Sequence, residues 1–144
     1  MTTRGDIVAS ARGWVGTPYH HQASVRGIGC DCLGLIRGVY REVTGADPEA
    51  PPPYTPDWAE AAGRETLIEA AARHLEAVDP AEARPGDDML FRHMPGAMAK
   101  HAGILVGREH MVHACSGRSV VEIHLGPWWR RRLAAVFRFP GVTD

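Results

Sequence analysis

The apolar positions change period part-way along the chain. Ile7, Val8, Ala11, Trp14 and Val15 recur at helical spacing, with Thr2 or Thr3 placed to cap the first turn and Gly16-Thr17-Pro18 to end the helix. A second helical stripe, formed by Leu33, Leu35, Ile36, Val39, Tyr40 and Val43, closes at Thr44-Gly45. Five of the ten residues 47–56 are proline, which excludes a helix or central strand and predicts an extended surface crossing. A third helix is predicted over residues 57–77, with Leu67, Ile68, Ala71, Ala72 and Leu75 on one face. After Arg84-Pro85-Gly86-Asp87 the segments become strand-like: residues 89–91, 102–106, 111–115, 119–125 and 134–139. Helices first and strands second predict an α+β fold, with N-terminal helices packed on a C-terminal antiparallel sheet. There is no internal repeat. The proline run is too short to separate domains, so residues 1–144 are expected to form one domain.

Composition narrows the function classes. The 144 residues, 44% hydrophobic and 23% charged, suit a soluble domain with a sizeable core. Sixteen basic residues against 17 acidic give a net charge of −1, which speaks against a basic nucleic-acid binder or capture by an anionic membrane. No apolar run reaches the length of a membrane span, and Arg4, Asp6 and Arg12 interrupt any secretory signal. The protein is therefore expected to be made in the cytoplasm without a signal peptide. Cys30, Cys32 and Cys115 are too few for a disulfide scaffold; reduced or reactive thiols are expected.

Cys32 stands at the predicted start of the second helix. The unpaired N–H groups and partial positive charge there favour thiolate, with pKa values of ~3.5–7.5 for such cysteines. The alternative role is a small buried residue. Two histidines, His101 and His113, lie in strand-like segments joined by a turn near residues 107–110. With a three-residue loop, His113 opposes Gly103 and His101 opposes Cys115. Both imidazoles then share a face as diagonal neighbours, roughly 7–8 Å apart. A two-residue loop sends them to opposite faces. The shared-face arrangement suits a base, His101, oriented by a second imidazole.

Together these blocks resemble a known family. Gly16-Thr17-Pro18-Tyr19, Asp31-Cys32-Leu33-Gly34-Leu35, Arg84-Pro85-Gly86-Asp87, His101-Ala102-Gly103-Ile104 and Val112-His113-Ala114 come in the order seen in NlpC-type, papain-like cell-wall cysteine peptidases. The end of the chain, residues 127–140, looks like the short phage-tail and gene-transfer-agent branch. The resemblance implies Cys32 as nucleophile, His101 as general base and His113 as the residue that orients it. It implies that the Tyr19 hydroxyl helps bind the oxyanion, and that Asp31 lies beside the substrate site, where capping the helix is its simpler role. It further implies a peptidoglycan stem peptide as substrate, cut between D-glutamate and diaminopimelate, and no metal or other cofactor. Tail or baseplate proteins become the expected partners, and the periplasm of a target cell the place of action. Two departures bear on the cleft: Leu33 stands where the family commonly has Ser, and Gln22-Ala23 where a glycine pair often follows.

Other readings weigh on the same residues. A non-catalytic tail adaptor that keeps a peptidase fold is one. A zinc site drawn from Cys30, Cys32, His101, His113 and Cys115 is another, although Cys-x-Cys is tighter than usual zinc spacing. Cys30 and Cys115 are expected to be packing residues, and His20 and His21 exposed. Trp128-Trp129-Arg130-Arg131-Arg132 reads equally as a partner surface or as a turn whose tryptophans close the core.

Overall fold

In the computed structural model, which describes residues 2–48 and 65–144, Thr3 caps α1 (Arg4–Gly13). Its hydroxyl accepts from Asp6 N, and the Asp6 carboxylate accepts from Thr3 N, a reciprocal capping box. Ile7 and Ala11 are buried along that helix, with Trp14 just beyond its end; Val15 is exposed instead of joining the stripe. The second helix, α2 (Cys32–Thr44), starts at its cap Asp31 and stops at Gly45, whose φ of 76° lies in the left-handed region that glycine enters freely. Both helices bury their apolar sides in one cluster with Ile104, Val106 and Val112 of the sheet.

Among the described residues the main sheet has six strands in the order β4-β9-β5-β6-β7-β8, all antiparallel. They are β4 (Glu76–Val78), β5 (Asp87–Arg92), β6 (Ala99–Gly107), β7 (His110–His113), β8 (Val121–His124) and β9 (Leu133–Arg138). Before them come β1 (Thr2–Thr3) and the hairpin β2 (Ser24–Val25) and β3 (Gly29–Cys30). The last strand, β10 (Val142–Thr143), runs parallel to β1, pairing Thr2 with Val142 and Thr3 with Thr143. Alternation along β6 splits its side chains. Ala102, Ile104 and Val106 face the helices, while Leu105 packs with Met89, Phe91, Met111 and Leu125 on the other side. That second face is closed by Trp129 of α4 (Pro127–Arg130).

The α+β layering agrees with the pattern in the sequence; some boundaries do not. The third helix, α3, covers Thr66–His74, and residues 76 and 77 belong to β4. Leu75 is already extended there, because pairing with β9 satisfies the backbone that a longer helix would leave at an edge. Residues 49–56 of the proline crossing and 57–64 of the expected helix lie outside the described residues.

Two adjacent aspartates in β5 show opposite electrostatics. Asp87 is fully buried and accepts from Arg4 at 3.0 Å and from Arg138 through two bonds of 3.0 Å, tying α1, β5 and β9 together. Asp88 points to the apolar helix side, also fully buried, and neither carboxyl oxygen has a partner among the described residues. Burial, and then the negative Asp87, hold its pKa well above the usual carboxylate value. A raised folded-state value means stability is full below the unfolded pKa and is lost as pH rises. Asp88→Val is therefore expected to raise the urea midpoint at pH 7, worth ~1–3 kcal/mol, and to gain less near pH 4. Paired urea titrations at the two pH values check this.

Candidate active site

The site forms where the N-terminus of α2 meets the start of β6. Asp31 fixes that helix end twice over: Oδ1 accepts from Gly34 N and Oδ2 from Gln22 N, both at 2.7 Å. The second bond pins the loop before β2 at Gln22, whose φ of 62° is unusual for a residue with a side chain. Gly34 lets the loop approach: a Cβ there would stand 1.8 Å from Ala23 O. Leu35 N bonds Asp31 O within the helix at 2.9 Å. Among the described residues this leaves the N–H groups of Cys32 and Leu33 uncapped, beside the Cys32 thiol.

His101 and His113 are brought together. His101 Nε2 and His113 Nδ1 are 2.8 Å apart, with the two rings nearly perpendicular at 88°. His113 opposes Gly103 in the ladder, as the three-residue loop requires. The turn itself differs. Gly107 pairs with His110, so only Arg108 and Glu109 remain in the turn, and a bulge between Leu105 and Gly107 absorbs the odd residue. The bulge restores the parity that a two-residue turn would have reversed. Direct contact between the rings replaces the looser diagonal spacing. Gly103 makes room for it, since a Cβ there would lie 2.8 Å from Met111 Sδ and 3.3 Å from His113 Cβ.

Cys32, Tyr19, Asp31 and His101 line one cleft of about 590 Å³, walled further by Phe91, Trp128 and Trp129. Tyr19 is held on both sides: its N–H donates to Arg118 O at 3.1 Å, and His20 N donates to Cys30 O at 3.0 Å. Burial, and then the nearby Cys32 and Asp31, push its hydroxyl pKa up to about 12, so it remains a donor. Cys30 is wholly buried in the helix-side core. Cys115 departs from its expected place on a buried strand. It follows the end of β7, is partly exposed and lines the cleft. No group of three or more His, Cys, Asp or Glu among the described residues is placed to hold a metal ion.

The charge state at Cys32 corrects the expected thiolate. Burial, and then the Asp31 carboxylate, push the thiol up to about 12, outweighing the backbone N–H groups of Ala102, Leu33 and Cys32 that pull it down. The sulfur lies 3.7 Å from Lys100 O, a contact in which the thiol donates. Burial, and then His113, push His101 down to about 3; burial, and then Arg118, push His113 down to about 4. The resting site therefore holds a neutral thiol and two neutral imidazoles.

The low histidine values also affect folding. An unfolded imidazole protonates near pH 6.5, whereas these stay neutral to about 3 and 4 when folded. Their contribution is present above pH 6.5 and lost as pH falls. In an Asp88→Val background, which removes the opposing carboxyl, the urea midpoint is expected to drop between pH 7 and pH 5. His101→Gln should reduce the drop.

A family model for the NlpC/P60 family matches residues 16–138. The chain belongs to the NlpC/P60 family. Its matched segment contains every element of the cleft. Gamma-DL-glutamyl hydrolase of Bacillus subtilis (strain 168) is 27% identical over 141 residues, covering 95% of this chain and 30% of that protein. Murein DD-endopeptidase MepS/Murein LD-carboxypeptidase of Escherichia coli (strain K12) is 26% identical over 120 residues, covering 83% of this chain and 54% of that protein. The chain thus spans 30% and 54% of these relatives' lengths. The crystal structure of the NlpC/p60 domain of peptidoglycan hydrolase SagA superposes with a TM-score of 0.66 at 27% identity, covering 96% of this chain and all of that domain.

Position by position, the structure gathers Tyr19, Asp31, Cys32, His101 and His113 at one place. Sequence reasoning does not place the aromatic wall at the site. Its one signal was the Trp128-Trp129 pair, and the structure divides that pair: Trp129 turns inward on the histidines, while Trp128 is 45% exposed at the rim.

Proposed function

We propose that this NlpC/P60 chain is a cysteine endopeptidase acting on peptidoglycan stem peptides. The observation that carries the reading is a thiol at a helix N-terminus in one cleft with a hydrogen-bonded imidazole pair. For His101 to serve as base through Nδ1, its Nε2 must carry the proton and donate to His113 Nδ1. His113 in turn holds its own proton on Nε2. That tautomer pair leaves the Nδ1 lone pair of His101 available.

With both partners neutral at rest, attack and proton transfer go together. The Cys32 Sγ–carbon bond forms as the thiol proton passes to His101. The N–H groups of Cys32 and Leu33, with the Tyr19 hydroxyl, are the donors for the developing oxyanion. Collapse breaks the carbon–nitrogen bond, and His101 returns the proton to the leaving amine. Water then attacks the thioester, giving its proton to His101. The acyl group leaves as a carboxylic acid, and Cys32 regains its proton.

The D-glutamyl–diaminopimelate bond is the proposed point of cleavage. The name of the Bacillus subtilis relative, a gamma-DL-glutamyl hydrolase, supports a glutamyl bond, whereas that of the Escherichia coli relative, a murein DD-endopeptidase and LD-carboxypeptidase, supports only a murein peptide as substrate. Mass spectrometry of a defined muropeptide after digestion tests it; products cut at another bond would overturn that assignment. We further propose delivery by a phage-like tail into the periplasm of a target cell, supported by the resemblance of residues 127–140. Absence of the protein from purified tail particles would overturn delivery without touching the chemistry.

A further inference from the structure

One side chain outside the Cys32–His101–His113 set touches both imidazoles. The Trp129 ring centroid lies 5.5 Å from that of His101 with the planes 32° apart, and 5.2 Å from that of His113 with the planes 83° apart. A single indole thus lies over one ring and meets the other at right angles. Phe91 completes the enclosure, 5.0 Å from Trp129 and 6.3 Å from His101.

The indole is braced from behind. Trp128 packs on it at 4.9 Å and 79°, and the Arg132 guanidinium sits 3.9 Å from the Trp128 ring centroid. Arg132 also donates to His93 O at 3.1 Å and to Trp128 O at 3.0 Å, and Arg130 donates to Leu125 O at 3.1 Å. These bonds tie a four-residue helix to the strand before it and to the loop after β5. A turn whose only task was to cover apolar surface would not need its tryptophan fixed against two histidines.

We propose that Trp129 is a positioning residue, which seals the His101–His113 hydrogen bond from water and fixes both rings in the perpendicular arrangement that proton transfer uses. The inference rests on the peptidase reading above. Water competes for each imidazole nitrogen, and a ring free to turn would trade its partner for solvent. An aromatic wall removes both alternatives and strengthens the bond it encloses. The depressed histidine values, with burial as their first cause, agree with such a seal. The charged or titratable groups around the pair are Cys32 and Asp31 at α2, Arg92 and His93 at the end of β5, Lys100 on β6, Tyr19 and His21 before β2, and Cys115 and Arg118 after β7. A substitution at Trp129 alters none of them, so a changed titration reports the wall.

The test compares the full-length wild type with Trp129→Leu and Trp129→Phe. Imidazole titrations are followed by NMR, and kcat/KM for a defined muropeptide is measured from about pH 2 to pH 8, a window that brackets the low His101 midpoint. In Trp129→Leu the His101 midpoint is expected to climb by about one pH unit or more, with the acid limb of kcat/KM moving alike. Trp129→Phe should restore most of both. An unmoved His101 midpoint in Trp129→Leu would overturn the inference, as would a fall in kcat/KM that is uniform across pH. If Trp129→Leu does not fold, solvent exchange of the shared imidazole N–H in the wild type decides. Slow exchange supports the seal and fast exchange overturns it. A wild type that cleaves no muropeptide would overturn the peptidase reading alone, because the imidazole titration needs no turnover.

Discussion

Cys32→Ala is expected to lower muropeptide hydrolysis by on the order of 10⁴-fold or more while leaving the urea midpoint nearly unchanged. The reasoning is local. Cys32 is the first residue of α2, and its thiol donates one weak hydrogen bond, to Lys100 O at 3.7 Å, beside the backbone N–H groups of Ala102, Leu33 and Cys32 itself. The cap is Asp31, and the helix-side core is built by Leu35 and Val39, so removing the sulfur takes away little structure. Cys30→Ala should behave oppositely. That thiol is fully buried, so its loss should cost stability, with the peptidase activity of the folded fraction retained. Mass spectrometry of digests by the two variants separates these outcomes. Full activity in Cys32→Ala would overturn the assignment of the nucleophile and favour a reading in which the fold is kept without catalysis.

His101→Ala carries the second large effect, a loss in kcat of about 10²–10⁴-fold. A neutral thiol pushed up to about 12 cannot ionise alone at neutral pH, so the base is required in the step that forms the carbon–sulfur bond. His113→Ala should lower kcat less, because it removes the orienting acceptor and keeps the base. KM should move little in either variant if the histidines act on the proton and not on the substrate's remote groups. Steady-state kinetics on one muropeptide, with both variants measured at pH 7, checks the order. Equal losses in His101→Ala and His113→Ala would mean that the base and its partner act as one unit.

Much of this arrangement is legible in the sequence. Helical spacing around Leu35 and Val39 placed Cys32 at a helix start, and Thr44-Gly45 marked the helix end where Gly45 now takes the left-handed conformation. Alternation placed His101 and His113 on neighbouring strands. What could not be read was how a strand miscounts. The bulge beside Val106 reconciles a two-residue turn with histidines on one face, and no local propensity marks a bulge in an apolar run. The thiol's charge state was missed for a related reason. Helix-end electrostatics depend on position along the chain, whereas burial and the distance to Asp31 depend on tertiary packing. Glu76 and Ala77 read as helix because their pairing partners on β9 lie about sixty residues away, beyond any local window.

The parallel pairing of β1 with β10 has a consequence for how this fold can be joined to others. Thr2 and Val142 are ladder neighbours about 5 Å apart, and because the two strands run parallel the chain enters at one end of this short ladder and leaves past Thr143 at the other. A polypeptide whose terminal strands are paired can be spliced into a surface loop of a host protein with little stretching of that loop. Its own ends can equally be closed by a short linker and the chain reopened elsewhere, for example at Arg108-Glu109. The same pairing that completes a small sheet thus places any junction made at one terminal strand beside the other.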